Sequence, residues 1–344
     1  SVRGDEYKRL TPVYDWMKIP GATIVQLDKM PGENEIQKWG LTDYVGAVTD
    51  GTYGAVGFDF KSPHTGLAAK KAWFFFDKTY VCLGTNISSR MKNQVLTTVN
   101  QCLLNGEVTV SDADGIHPQE QGSRMKKEVR WVVHDKVGYY FLKKENVILS
   151  NQRIEGSWKI ANRQTTTPTD IIRQDVFTLS VDHGRSPNNG DYAYMVIPSA
   201  DPLSIEKQVE EEGVVILANC PEVQAVRHDG LNMAYAAFYK GGTLRIHDKI
   251  VVEMDSPGML MVKYNDAGEI LALGVSDPTR FMKKLHLSVN QKIVGAVQEN
   301  IQTEWDEKQA LTRITVELPQ NEYAGKSVIY NCLLYTSDAA DDLT

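Results

Sequence analysis

The residue types best suited to chemistry crowd into the opening stretch of this 344-residue chain, where Gly4-Asp5-Glu6-Tyr7 leads into Pro12-Val13-Tyr14-Asp15-Trp16 and Ile19-Pro20-Gly21-Ala22-Thr23. A carboxylate can orient a charged or hydrogen-bonding partner, and aromatic side chains can either pack or offer a face to a ligand. Tyr14, Asp15 and Trp16 are therefore candidates to line a binding cleft, with packing beneath the segment an equal reading for Trp16. The segment reaches this density without an initiator Met, so the chain is expected to start inside a longer protein.

Elsewhere the chemistry is sparse. Phosphate-loop, zinc-protease and nucleophile-elbow patterns are missing from the sequence. Asp112-Ala-Asp114-Gly115 has the look of a calcium loop but lacks the sixth-position Gly and terminal Glu, so it reads as an exposed turn. No cofactor and no metal site are expected, and a structural calcium is compatible with the sequence without being indicated by it. Arg3-Gly4-Asp5 carries no weight, and the sequon Asn86-Ile-Ser88 matters only in a secretory eukaryotic setting. The histidines at 64, 117, 134, 183, 228, 247 and 286 are scattered; His134, at a hairpin turn, and His183, before Gly184, are the two that a site could use.

Composition narrows the partners. The formal charge of −7 becomes −4 when Asp338, Asp341 and Asp342 are left out, and basic clusters such as Arg124-Met-Lys126-Lys127 are short, which argues against nucleic acid. No apolar run approaches the ~20 residues a helical membrane span needs. Cys82, Cys102 and Cys220 show no C-x-x-C spacing and read as buried thiols. The reason for setting those aspartates aside is that Cys332 to Asp341 resembles, codon for codon, the translation of a sequencing adapter; residues 332–344 are expected to be foreign and both termini to be cuts.

The elements that must position any site read as antiparallel β-structure. Lys71 to Phe76 with Tyr80 to Leu83, and Val129 to Val133 with Val137 to Phe141 around His134-Asp-Lys136, read as hairpins. Further strands are expected at 176–181, 192–197, 214–217, 244–252, 271–275, 285–289 and 312–318, at sandwich-like spacing. Trp73, Phe74 to Phe76, Trp131 and Trp158 read as core. Helix is scarce; the best candidate starts at Asp201-Pro202 and runs through Ile205 to Glu211. Asp255-Ser-Pro-Gly258 marks the expected domain boundary, giving domains at 1–256 and 257–331.

Ordered blocks along the chain carry a resemblance. The opening motif is followed by Lys71-Ala-Trp-Phe-Phe-Phe-Asp77, Val81-Cys-Leu-Gly84, Asn86-Ile87, Glu155-Gly-Ser-Trp-Lys-Ile160 with Asn162, Asp182-His-Gly184, Pro187 and Tyr192-Ala-Tyr194. Leu273 to Arg280, Leu318-Pro319 and Tyr323-Ala-Gly325 complete the set. Together they resemble polysaccharide lyase family 8, the chondroitin AC, hyaluronate and xanthan lyases.

The resemblance implies an all-β fragment: a β super-sandwich of galactose-mutarotase-like topology, then a smaller C-terminal β-sandwich, without the amino-terminal α/α toroid of the family. It implies a bacterial extracellular or periplasmic enzyme that cleaves an acidic polysaccharide by β-elimination at a uronic acid, leaving a 4,5-unsaturated sugar. Such chemistry needs a base for the C5 proton, an acid for O4 and donors for the enediolate; in the family Asn, His, Tyr and Arg of the toroid supply them. Glu6 matches a linker Glu that holds the toroid's Arg and Tyr, so it is the catalytic-site residue expected here, and the fragment alone is expected to be inactive. The Lys71 to Leu83 block leans towards the chondroitin AC branch. Two other readings are a non-catalytic carbohydrate-binding or scaffolding β-sandwich protein and a mutarotase-like epimerase, for which no facing His and Glu pair stands out.

Overall fold

In a computed structural model, which describes residues 4–32, 35, 37–295 and 297–333, the described chain is mainly antiparallel β-structure, as the sequence leads one to expect. It divides into two compact units. The first comprises residues 1–39, 61–69 and 87–205; the second comprises 40–60, 70–86 and 206–344.

In the first unit, strands Thr23–Val25, Gln94–Leu103, Ile172–Arg185, Val137–Gly156 and Gly190–Pro198 lie side by side in that order. Val137–Gly156 is long enough to change neighbours. Its start, Val137 to Phe141, pairs with Gly190–Pro198, whereas Val147 to Gly156 pairs with Ile172–Arg185. Along its other edge it pairs with Gly122–His134, with register shifts on either side of Glu145. The expected hairpin between these two strands is present, but His134 belongs to the strand: only Asp135 and Lys136 turn, both left-handed at φ 48° and 62°. That is the geometry whose twist matches paired strands. Alternation fills the core from Phe177, Leu179, Val181, Trp131, Phe141, Val147 and Leu149.

In the second unit, Val45–Thr49, Gly54–Lys61, Ala68–Phe75 and Tyr80–Ser88 are successive neighbours in one sheet. A five-stranded sheet, ordered Gly242–His247, Ile250–Met254, Lys284–Val289, Leu311–Glu317 and Ile301–Asp306, packs on a seven-stranded one. Leu244, Ile246, Val252, Leu285, Leu287, Ile314 and Val316 meet Ala234, Ala236, Leu260, Val262, Leu273 and Val275 in a single apolar cluster. Two inner sheet faces sharing one core make a β-sandwich.

Several expectations shift in detail. The expected strand 244–252 is a hairpin, because a register shift between Arg245 and His247 and a turn at Asp248 and Lys249 fold it back. The helix near Pro202 begins later, at Ile205–Glu212; Asp201 instead caps a turn, accepting the Leu203 N–H at 2.8 Å. Phe74 and Trp131 are core, whereas Phe75 points outward. Asp255 to Gly258 is a link inside the second unit, joining Ile250–Met254 to Gly258–Tyr264. Cys82, Cys102 and Cys220 form no disulfide among the described residues. The final strand, Val328–Leu333, runs into the segment read as adapter, with Cys332 opposite Gly295 and packed on the core; the rest of that segment lies outside the described residues.

Candidate functional site

Glu6 sits on an element that the sequence reading did not foresee, the short helix Gly4–Leu10. Asp5 and Glu6 occupy its first turn and Lys8 and Arg9 its last, an order that complements the helix dipole. Seven residues cannot sustain a helix alone, so tertiary contacts must hold it. Leu10 and Val13, 1% and 4% exposed, pack on Val176 with Tyr14, Leu103 and Ile154 around them. Pro12 opens a 3₁₀ turn at Thr11–Val13, and Gly156 lets it lie close: a Cβ on Gly156 would stand 2.0 Å from the Pro12 carbonyl oxygen. The Gln101 side chain then clamps the chain beyond, accepting the Asp15 N–H at 2.9 Å and donating to the Asp15 and Lys18 carbonyls at 3.0 and 2.7 Å.

Held this way, Glu6 and Arg9 stand one turn apart on the rim of a cleft of about 720 Å³ in the first unit. Asn100, Cys102, Asn105, His134, Asp135 and Tyr139 also line it. His134 is buried, stacked 4.3 Å from Phe177 with 19° between ring planes. Its Nε2 accepts the Asn105 N–H at 3.0 Å, so the proton of the neutral ring is on Nδ1, which lies 3.7 Å from Cys102 Sγ. Burial lowers its pKa. With Nε2 engaged by backbone, His134 is part of the floor and is not placed to take a proton from a ligand. Asn100 Nδ2 donates to Tyr139 Oη at 2.6 Å, and Asn105 Nδ2 to Asp135 Oδ1 at 2.8 Å. Burial, helped by the charges of Asp135 and Glu6, pushes the Cys102 thiol up to about 12. Arg9 donates to Gln174 Oε1 at 3.3 Å. The cleft thus has a neutral floor, two carboxylates and one guanidinium: equipment for orienting charged groups, with no activated nucleophile among the lining side chains.

Tyr14, Asp15 and Trp16 form the turn after the helix and are not among the residues lining this cleft. Tyr14 and Trp16 meet edge to face at 5.0 Å, and burial raises the Tyr14 phenol. Asp15 accepts the Met17 N–H at 3.0 Å and pairs with Lys18 at 3.0 Å. Trp16 keeps 39% of its surface exposed, enough to offer an aromatic face.

Of the two histidines singled out, His134 is in the cleft, whereas His183 contacts Thr97 Oγ1 at 2.7 Å and does not line it. Asn100, Cys102, Tyr139 and Arg9 were not anticipated. Only Arg9 left a local trace, three residues after Glu6. Asn100 and Cys102 come from one strand, Gln94–Leu103, and Tyr139 from another, Val137–Gly156, so their meeting depends on register.

A His and Glu pair, absent from the sequence reading, does form in the second unit: His228 Nε2 lies 3.2 Å from Glu212 Oε2, which also accepts from Thr79. His228 is buried against Phe76, 4.7 Å ring to ring, leaving a sugar no access to its face. Among the described residues no group of three or more His, Cys, Asp or Glu is placed to hold a metal ion. Asp112 instead accepts the Asp114 N–H and pairs with His117 and Lys126 at 3.0 and 3.2 Å. Among the described residues no helix is long and apolar enough to cross a membrane.

Comparison with known proteins adds the context. The family model for the super-sandwich domain of polysaccharide lyase family 8 matches residues 1–209, and that for the family's C-terminal β-sandwich domain matches 215–286. Chondroitinase-AC of Pedobacter heparinus is 34% identical over 333 residues, 95% of this chain and 44% of that protein. Hyaluronate lyase of Thermasporomyces composti is 29% identical over 84% of this chain and 36% of its own length. A chondroitinase AC lyase solved with oligosaccharides superposes with a TM-score of 0.81 at 34% identity, covering 96% of this chain and 46% of the other. Paenibacillus xanthan lyase, also at 0.81 but 23% identical, shows the shared fold over 94% of this chain and 31% of its own. The chain therefore spans less than half the length of these relatives.

Proposed function

The chain belongs to polysaccharide lyase family 8, and from that premise we propose that it is the β-structured part of a lyase that cleaves a uronic-acid-containing glycosaminoglycan, of the chondroitin sulfate or hyaluronan class, by β-elimination. The observation that carries the reading is the position of Glu6: a family-matching carboxylate on the rim of an open cleft, with its helix locked down by buried side chains.

The C5 proton of a uronic acid is poorly acidic, so its removal needs positive charge or strong donors at the developing enediolate. In this reading Glu6 fixes a guanidinium and a phenol from a preceding helical domain, and Arg9 adds positive charge at the rim. Trp16, with Tyr14 and Asp15 behind it, offers a face to a sugar ring. Glu6 is a positioning residue; the base and acid come from the helical domain, so this chain by itself has no turnover. The polymer it acts on lies outside the cytoplasm, and the intact enzyme works there or in the periplasm.

The test is ultraviolet absorbance of unsaturated uronide from chondroitin sulfate and hyaluronan. This chain alone should give no signal, and a protein that includes the helical domain should give one. In that longer protein Glu6→Gln should lower kcat by about 10²-fold, the scale of a misplaced catalytic group. Turnover by this chain alone would overturn the division of labour. Tight polymer binding by the longer protein without any product would favour the binding-module reading.

A further inference from the structure

Two sequence blocks that the Glu6 cleft does not use, Ser276-Asp277-Pro278-Thr279-Arg280 and Tyr323-Ala324-Gly325, come together in the second unit. Asp277 is buried and ties the first block: Oδ1 accepts the Thr279 N–H at 2.8 Å and its hydroxyl at 2.6 Å, and Oδ2 accepts the Met282 N–H at 2.8 Å. Arg280, left-handed at φ 65°, reaches the second block through Nε, which donates to the Ala324 carbonyl at 3.1 Å. Gln320 Nε2 donates to the Met282 carbonyl at 3.0 Å, and the Leu318 N–H to the Lys283 carbonyl at 2.8 Å. Gly325, at φ 88°, is needed here, since a Cβ would meet Arg280 Cγ at 3.2 Å in a conformation that side-chain-bearing residues rarely adopt.

This braced scaffold holds two aromatic rings out in solvent, Phe281 at 75% exposure and Tyr323 at 60%. An isolated exposed ring is ordinary. Here the two stand on turns that Arg280 and Gln320 tie together by hydrogen bonds. Cations flank it. Arg280, Lys283 and Lys326 are exposed, and Lys326 Nζ lies 5.9 Å from the Tyr323 ring centre. On the acidic side are Glu322 and Glu317, the latter paired with Lys284 at 3.0 Å. The patch is locally basic on a chain whose formal charge is −7.

We propose that this patch is a polysaccharide-binding site for an anionic chain, carried by the second unit. Pyranose C–H groups stack on the negative faces of Phe281 and Tyr323, while carboxylate or sulfate groups pair with Arg280, Lys283 and Lys326. Because the turns are already ordered, little conformational entropy is lost on binding. The choice of an acidic polymer rests on the lyase reading above as well as on the charge of the patch. The site would tether the polymer for the intact enzyme to act on.

Affinity electrophoresis of the full chain through gels containing chondroitin sulfate, hyaluronan or neutral dextran tests this. Retention by at least one anionic polymer, little retention by dextran, and weakening with added salt are expected. Phe281→Ala with Tyr323→Ala should reduce affinity about tenfold or more, with an unchanged melting temperature. Lys326→Glu should reduce it too, and the same charge change at Lys127, exposed on the first unit, should leave it unaltered. The proposal is overturned if the native chain is retained by none of the anionic polymers, if the double variant binds as the native chain does, or if Lys127→Glu weakens retention as much as Lys326→Glu. Failure of the lyase reading shows separately, as absence of unsaturated product from the longer protein.

Discussion

Gly156→Ala is the sharpest perturbation of the site, because it acts on the seat of Glu6 without touching Glu6. The new Cβ would stand 2.0 Å from the Pro12 carbonyl oxygen and 3.0 Å from its carbon, both backbone atoms that no rotamer change can move. To reach even the 3.0 Å below which such contacts essentially never occur, the Thr11–Val13 turn or the end of strand Val137–Gly156 must retreat by about 1 Å. Overpacking of this kind costs about 1–3 kcal/mol. The other way out, releasing the segment into solvent, would expose Leu10 and Val13, each worth about 1.5–3 kcal/mol when fully buried. Shifting is the cheaper response, so the segment should stay docked but displaced, carrying Glu6 with it.

At about 2–4 °C per kcal/mol for a unit of this size, the melting temperature of the chain should fall by several degrees. Hydrogen exchange at the Leu10 and Val13 amides should quicken. In a longer protein containing the helical domain, kcat should fall together with exchange protection. Gly242→Ala is the control: a Cβ there meets nothing within 4 Å, and a change within about 0.5 kcal/mol is expected. If Gly156→Ala melts with the native chain and leaves Leu10 equally protected, the seating of Glu6 by this close approach is wrong.

Other outcomes follow from the titrating groups of the first unit. Burial raises the Glu145 carboxyl to about 7 from an ordinary 4.5, outweighing Lys143 3.9 Å away. The folded chain therefore keeps a proton that the unfolded chain releases, and stability should fall as pH rises from about 4.5 to about 7. Glu145→Gln should flatten that dependence and raise the free energy of unfolding at pH 8 by about 2–3 kcal/mol at most; equal pH dependence in both proteins would refute it. Cys102, with its thiol at about 12, should be alkylated by iodoacetamide at pH 8 on the order of a thousandfold more slowly than a free thiol, as read by mass spectrometry. Rapid modification of Cys102 in the native chain would show that the cleft floor is open.

The strands that hold the site were legible where short-range chemistry is strong. Alternating apolar residues on both sides of Asp135-Lys136 disclosed the hairpin, since a two-residue turn and period-two burial are both local properties. The helix under Glu6 was not legible. Seven residues with polar and charged side chains at most positions carry no apolar period, and what makes them helical is the anchoring of Leu10 against Val176, a residue far along the chain. His134 was visible as a residue near a turn, but its burial and its bond to the Asn105 N–H arise from the pairing of Val108 with His134 across strands.

By itself, then, the sequence determined the antiparallel β character, the family and the candidacy of Glu6, because alternation, turn chemistry and ordered motifs are written along the chain. Only the tertiary structure decided that Glu6 shares a cleft with Arg9, Asn100, Cys102, His134 and Tyr139, and that Tyr14, Asp15 and Trp16 stand outside its lining. The physical reason is register: moving one strand by a single residue turns every side chain to the opposite face. Which polar groups meet in the cleft is therefore set by long-range pairing and by one glycine that lets a carbonyl approach.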